Sequence, residues 1–154
     1  MQGLIDLGVL HNGTMEEMWE KRVSWYFMPH GLGHYIGIYT HDYQGDQAKE
    51  NIKKPISKQS LRVHRILEAG MCMTNEPGCY VIRGLLAEAK ADAEVEKYFN
   101  WEVLEEFAKE VQACRIEDNF VITEDGNENY TCYLPRTVAA IEACHAGLEW
   151  AHLN

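Results

Sequence analysis

Apolar and polar positions alternate most sharply in Arg115–Thr123. There Ile116, Phe120 and Ile122 fall with Asp118 on one face, and Arg115, Glu117, Asn119 and Val121 on the other, the period-two pattern of a strand. Asp125-Gly126 predicts a turn, and Tyr130–Leu134 the returning strand of a hairpin. Upstream, Met71–Glu76 is an apolar strand ended by Pro77-Gly78, and Cys79–Ile82 continues it after a kink. Thr14-Met15-Glu16-Glu17 has the form of a capping box, so a helix of roughly three turns is expected to follow and to stop before Met28-Pro29. Residues 86–110 are rich in Ala, Glu, Lys and Leu and predict helix with a break near Asn100; Thr137 caps a last helix that Gly147 ends. Between the first helix and the first strand lies His30-Gly31-Leu32-Gly33-His34-Tyr35-Ile36-Gly37, followed by His41-Asp42. Each glycine costs a helix about 1 kcal/mol relative to alanine, so these histidines are expected on turn or extended backbone. Residues 43–60 read as a polar, lysine-rich surface excursion returning at Leu61-Arg62. No internal repeat, low-complexity run or linker divides the chain.

The 154 residues, 46% hydrophobic and 25% charged, have ordinary globular composition and are long enough for one domain with its own core. The formal charge of −10 argues against a nonspecific nucleic-acid or anionic-membrane binder, both of which depend on a positive field. No apolar run approaches a membrane span, and Met1–Asp6 lacks the basic start of a secretory leader, so a cytoplasmic location is expected. Five cysteines, Cys72, Cys79, Cys114, Cys132 and Cys144, contain no C-x-x-C pair and are expected to be buried, reduced thiols. Charge is uneven: residues 21–65 carry eight basic and three acidic side chains, residues 86–118 four basic and ten acidic. The second block suits a solvated helical face.

Singly, the candidate residues have plain explanations. His30, His34 and His41 could be loop histidines, and Arg115 with Glu117 a salt bridge on a solvated sheet face. Glu76 is less easily dismissed, because it ends an apolar strand just before a proline, where a carboxylate is partly desolvated unless a cation meets it. One imidazole with two carboxylates and no thiolate suits Mn²⁺, Co²⁺, Fe²⁺ or Zn²⁺, and carboxylates can bridge two such ions about 3.5–4 Å apart in a hydrolytic site. Two ions need further carboxylates, and Asp6, Asp42 and Asp46 are scattered over loops.

Taken in order, the motifs resemble a known family. His30-Gly31-Leu32-Gly33-His34 with Gly37 and His41-Asp42, then Thr74-Asn75-Glu76-Pro77-Gly78, then Arg115-Ile116-Glu117-Asp118 with Val121-Ile122-Thr123 and Gly126, are similar to the successive site motifs of the pita-bread metallopeptidases. Within that family the chain most resembles the prolidases, the Xaa-Pro dipeptidases. The segments carrying that likeness are Phe27-Met28-Pro29 before His30, and Leu134-Pro135-Arg136-Thr137 with Ile141-Glu142-Ala143-Cys144. The resemblance covers about residues 8–147. It implies an α/β (α+β) chain, the C-terminal half of a pita-bread fold, with curved antiparallel sheet and flanking helices. Residues 1–154 would form a single partial domain.

The resemblance also implies roles. His34, Glu76 and Glu117 would be metal ligands, with Glu76 also handling the proton of the attacking water. His30 and His41 would line the substrate side, one of them meeting the developing oxyanion, and Arg62 would grip the dipeptide's C-terminal carboxylate in the planar fork of its guanidinium. Arg115 would support the site's carboxylates from the substrate side. The intact enzyme would hold two divalent metal ions, manganese first, with cobalt, zinc or iron as alternatives, and cleave Xaa-Pro dipeptides. The family's two aspartate ligands precede the first motif matched here and have no counterpart in this chain, nor has the N-terminal domain. The isolated chain is therefore expected to bind one ion weakly or none, to be inactive alone, and to form a homo-oligomer or depend on the missing half. Asn75, where the family has an apolar residue, and Cys79 after the Pro-Gly depart from the pattern. The alternatives are another hydrolase of this fold, such as an aminopeptidase P or a creatinase-like enzyme, and a non-catalytic binding module.

Overall fold

A computed structural model describes residues 1–43, 61–63 and 65–154. The expected surface excursion at 43–60 therefore lies, beyond Tyr43, outside the described residues. The chain forms two compact units: among the described residues the first comprises 1–31, Leu61 and 77–115, the second 32–43, 62–63, 65–76 and 116–154. Among those residues no helix is long and apolar enough to cross a membrane.

The first unit holds helices α1 (Gln2–Asp6), α2 (Met15–Glu20), α3 (Arg83–Ala91) and α4 (Trp101–Glu110), and a two-stranded antiparallel sheet of β2 (Gly78–Tyr80) and β3 (Ala113–Arg115). The capping box forms: Thr14 Oγ1 accepts from the Glu17 amide and the Glu17 carboxylate accepts from the Thr14 amide. The helix it starts is shorter than expected. It ends at Glu20, Arg22 turns the chain with a left-handed φ of 58°, and Val23–Tyr26 follow as a 3₁₀ turn. β-branched and aromatic residues are poor helix formers, and the reversal at Arg22 lets Val23, Tyr26 and Phe27 all become buried. Asn100 breaks the acidic helical stretch by capping α4, its side chain accepting from the Val103 amide. Leu86 and Ala89 of α3 and Leu104 of α4 point into a core with Val9, Leu10, Met18 and Phe99. Phe99 is its hub, edge-on to Tyr26 and stacked between Phe27 and Trp101.

The second unit is built on a three-stranded antiparallel sheet in the order β1 (Cys72–Asn75), β4 (Asp118–Ile122), β5 (Asn127–Asn129), with α5 (Val138–His145) capped by Thr137 and followed by Gly147 at φ +70°. The hairpin turns at Asp125-Gly126 as expected, but its second strand is Asn127–Asn129 rather than 130–134. Asn129 ends it, because its side chain accepts from the Thr131 amide and closes an Asx turn.

The strand expected over Arg115–Thr123 is also interrupted, at Ile116-Glu117, so Arg115 and Glu117 do not share one continuous face. The partner strand explains this. Pro77 has no N–H to give a ladder, so the strand facing 113–122 breaks between Asn75 and Gly78, and its partner breaks opposite. The cysteines depart from expectation too: all five are free, but Cys72 and Cys79 are only half-buried and Cys114, Cys132 and Cys144 are exposed. Cys132 sits in the turn after β5, and Cys144 on a helix that buries only Ala140.

Candidate metal centre

Extended backbone at 32–36 runs antiparallel to β1 as an irregular fourth strand. The Thr74 amide donates to the His34 carbonyl, that of Glu76 to Leu32 and that of Ile36 to Cys72, with Tyr35 paired to Met73. This close approach requires glycine at position 33, since a Cβ there would lie 2.1 Å from the Thr74 carbonyl oxygen. His34 is thereby set across from Thr74, and directly opposite residues share a face. On the other side of β1, Asn75 pairs with Asp118, and the same register carried one residue further sets Glu76 opposite Glu117. Alternation thus brings His34, Thr74, Glu76 and Glu117 to one face, and one ligand atom from each of His34, Glu76 and Glu117 lies within 4.8 Å of the others.

The donor set fits a divalent cation. His34 Nδ1 lies 2.9 Å from the Tyr35 carbonyl, which can only accept, so Nδ1 carries the proton. Nε2 then faces Glu76 Oε1 at 3.3 Å. A lone pair and a carboxylate oxygen at that distance call for a cation or a proton between them. A ligating histidine whose other nitrogen donates to a backbone carbonyl is the usual arrangement at metal sites. Thr74 supports both groups, its hydroxyl donating to Glu76 Oε1 at 3.1 Å and accepting from the His34 amide at 3.0 Å. His34 and Glu76 are buried while Glu117 is exposed, so the group opens to solvent on the Glu117 side. Two facing carboxylates repel, which a bound cation would reverse.

His41 reaches this group by a loop that folds back on itself. Asp42 N donates to the Tyr35 carbonyl, and the His41 ring meets that of His34 edge-on at 4.3 Å. Arg62 is exposed in the same unit. His30 and Arg115 belong to the first unit, where they converge on Tyr80, a residue the sequence reading passed over. Tyr80 Oη accepts from Arg115 Nε and stands 2.9 Å from His30 Nε2. His30 Nδ1 faces the Gly31 carbonyl at 2.7 Å and so carries the proton, which leaves Nε2 to accept from the tyrosine hydroxyl. The register explains the convergence: two residues after Gly78, Tyr80 shares its face, and Gly78 is opposite Arg115. The bare glycine makes room, since a Cβ at position 78 would lie 2.5 Å from the Tyr80 ring.

Asp118, next to Glu117, is clamped by both terminal guanidinium nitrogens of Arg136 at 3.0 and 3.1 Å and by the Thr131 hydroxyl at 2.7 Å. The Thr131 hydrogen bond first, with Asn129 and Arg136 behind it, holds the Asp118 carboxyl below its ordinary value of 3.8 despite partial burial. A lowered folded value contributes stability that is full above 3.8 and lost as pH falls through that lowered value. Asp118→Asn is therefore expected to cost about 1.5–3 kcal/mol at pH 7. Urea midpoints of the variant and parent should converge in strong acid, and an equal gap at all pH values would contradict the clamp.

Fold and motifs together define a class: the chain belongs to metallopeptidase family M24, whose profile matches residues 4–124. Its relatives narrow the comparison. The chain is 43% identical over 152 residues to the Xaa-Pro dipeptidases of Rattus norvegicus and Homo sapiens, covering 98% of this chain and 30% of each of theirs. Zinc-substituted Escherichia coli aminopeptidase P in complex with product superposes with a TM-score of 0.59 at 33% identity, over 95% of this chain and 26% of that one. The pita-bread relationship agrees with the mixture of helices and antiparallel sheet described above. The chain thus spans about a third of the length of the curated relatives it matches.

Proposed function

We propose that this chain is the part of a metal-dependent Xaa-Pro dipeptidase that carries three of its metal ligands, His34, Glu76 and Glu117, and that the whole enzyme acts on Xaa-Pro dipeptides in the cytoplasm with two divalent ions, manganese first. The observation that carries this reading is the convergence of those three side chains, one imidazole and two carboxylates, on one face of one sheet. The ions, when bound, supply Lewis-acid activation of water and neutralise charge developing on the scissile carbonyl. Glu76, held by the Thr74 hydroxyl, takes the proton of the attacking water and passes it to the departing proline nitrogen. His41, beside His34, is the candidate donor to the oxyanion, and His30, whose two nitrogens are engaged by the Gly31 carbonyl and the Tyr80 hydroxyl, lines the substrate side. Arg62 forks the dipeptide carboxylate, and Arg115 steadies the substrate side through Tyr80. The remaining carboxylates come from the part of the enzyme that this chain does not span, and the chain associates with that part or with a second copy of itself.

Gly-Pro hydrolysis with manganese tests the reading. The 154-residue chain alone should give no turnover above a metal-only control, whereas a chain extended to the length of its relatives should cleave Gly-Pro and stop on chelation. Cleavage by the extended chain of longer Xaa-Pro peptides but not of dipeptides would contradict the dipeptidase assignment.

A further inference from the structure

Cys79 and Cys114 are paired residue to residue across the β2–β3 ladder. The Val81 amide donates to Gln112 two residues along, so Cys79 and Cys114 occupy a hydrogen-bonded site of the ladder. At such sites the Cα atoms are about 5.5 Å apart, inside the roughly 4.4–6.8 Å span of disulfides, while the Cβ atoms stand wider than the roughly 3.5–4.5 Å of a relaxed bridge, so the link would be strained and readily reduced. Both side chains leave the same face of the sheet. Both thiols are free, Cys114 exposed and Cys79 half-buried where it packs, with Val81, against the core. None of the other three cysteines is paired in register with a cysteine; Cys72, for one, faces Val121.

We infer that Cys79 and Cys114 form a redox pair, which a two-electron oxidant such as hydrogen peroxide converts to a cross-strand disulfide and a dithiol reductant restores. The Cys114 sulfur, as thiolate, attacks one peroxide oxygen; the O–O bond breaks and a sulfenic acid and one water result. The Cys79 sulfur then attacks the Cys114 sulfur, its S–H proton leaves with the hydroxyl as a second water, and the S–S bond replaces the S–O bond. Two thiols and one peroxide thus become one disulfide and two waters. The division of labour follows from the surroundings: burial pushes the Cys79 thiol up, which keeps it protonated and reserves it for the second step, while the exposed Cys114 meets the oxidant. A disulfide with one exposed half is of the labile rather than the structural kind. Its position gives it an effect, because Tyr80 follows Cys79, Arg115 follows Cys114, and both project from the opposite face of the same two strands. The link would fix the backbone that carries the Arg115–Tyr80–His30 relay.

The test is peptide mapping of the full 154-residue chain after equimolar peroxide and thiol blocking. The expected result is loss of two of the five thiols, a single linkage joining the Cys79 and Cys114 peptides within one chain, and recovery of both with dithiothreitol. Cys79→Ser should leave Cys114 as a dimedone-trappable sulfenic acid, and Cys114→Ser, at an exposed position, should abolish both linkage and trapping with its circular dichroism unchanged. Linkages that involve Cys132 or Cys144, or conversion of Cys114 to sulfinic acid in the parent without a link to Cys79, would overturn the proposal.

Discussion

Gly33→Ala is expected to loosen the second unit at its most demanding contact. The added Cβ would lie 2.1 Å from the Thr74 carbonyl oxygen, and a backbone atom cannot swing aside as a side chain does. Either the 32–36 segment lifts off β1 or β1 bends away from it, and both break the amide bonds from Thr74 to His34 and from Glu76 to Leu32. Overpacking costs about 1–3 kcal/mol, and a clash with fixed backbone falls at the upper end of that range. Local hydrogen exchange at the Thr74 and Glu76 amides should therefore accelerate at least roughly 100-fold. Gly84→Ala is the control: nothing lies within 4 Å of a Cβ at that position in α3, and alanine there should stabilise by about 0.5–1 kcal/mol. Unchanged exchange in Gly33→Ala would mean that His34 is not held against β1 as described.

The second large effect has opposite signs with and without metal. Glu117 is exposed and its carboxylate lies within 4.8 Å of that of Glu76, so Glu117→Gln removes a like-charge opposition and should stabilise the metal-free chain by roughly 0.2–1 kcal/mol. The same change should weaken manganese binding on the order of 100-fold, because losing a ligand costs at least what losing a ligand's support costs. Urea unfolding with and without manganese measures both, and the variant's curve should cross the parent's as manganese is added. A variant that lost stability without metal and kept its affinity would show Glu117 to be a structural carboxylate.

Much of this was legible in the sequence wherever one residue type has one use. Thr14 with Glu17 announced a capping box, Asn100 a break in a helical stretch, and Pro77 a strand end, each through chemistry confined to a few neighbouring residues. Glu76 stood out because a carboxylate at the end of an apolar strand needs a reason to be there, whereas His34 and Glu117 were singled out by the order of the motifs they share with the pita-bread metallopeptidases. What the sequence hid was set by partners far along the chain. The break at Ile116-Glu117 answers a proline forty residues upstream, and alternation read within one segment cannot register it. Arg22 adopts a left-handed turn only because burying Val23, Tyr26 and Phe27 requires it. Tyr80 looked like any strand tyrosine until the register set it diagonally beside Arg115, within reach of His30.

The most direct test of the central claim, that His34, Glu76 and Glu117 together hold a divalent cation, is manganese titration followed by electron paramagnetic resonance, in which bound ion leaves the free six-line signal. The parent chain should remove one manganese ion per molecule at saturation, and a His34→Ala, Glu117→Gln double variant should remove none over the same range. Equal uptake by the two proteins, or none by the parent, would contradict the assignment.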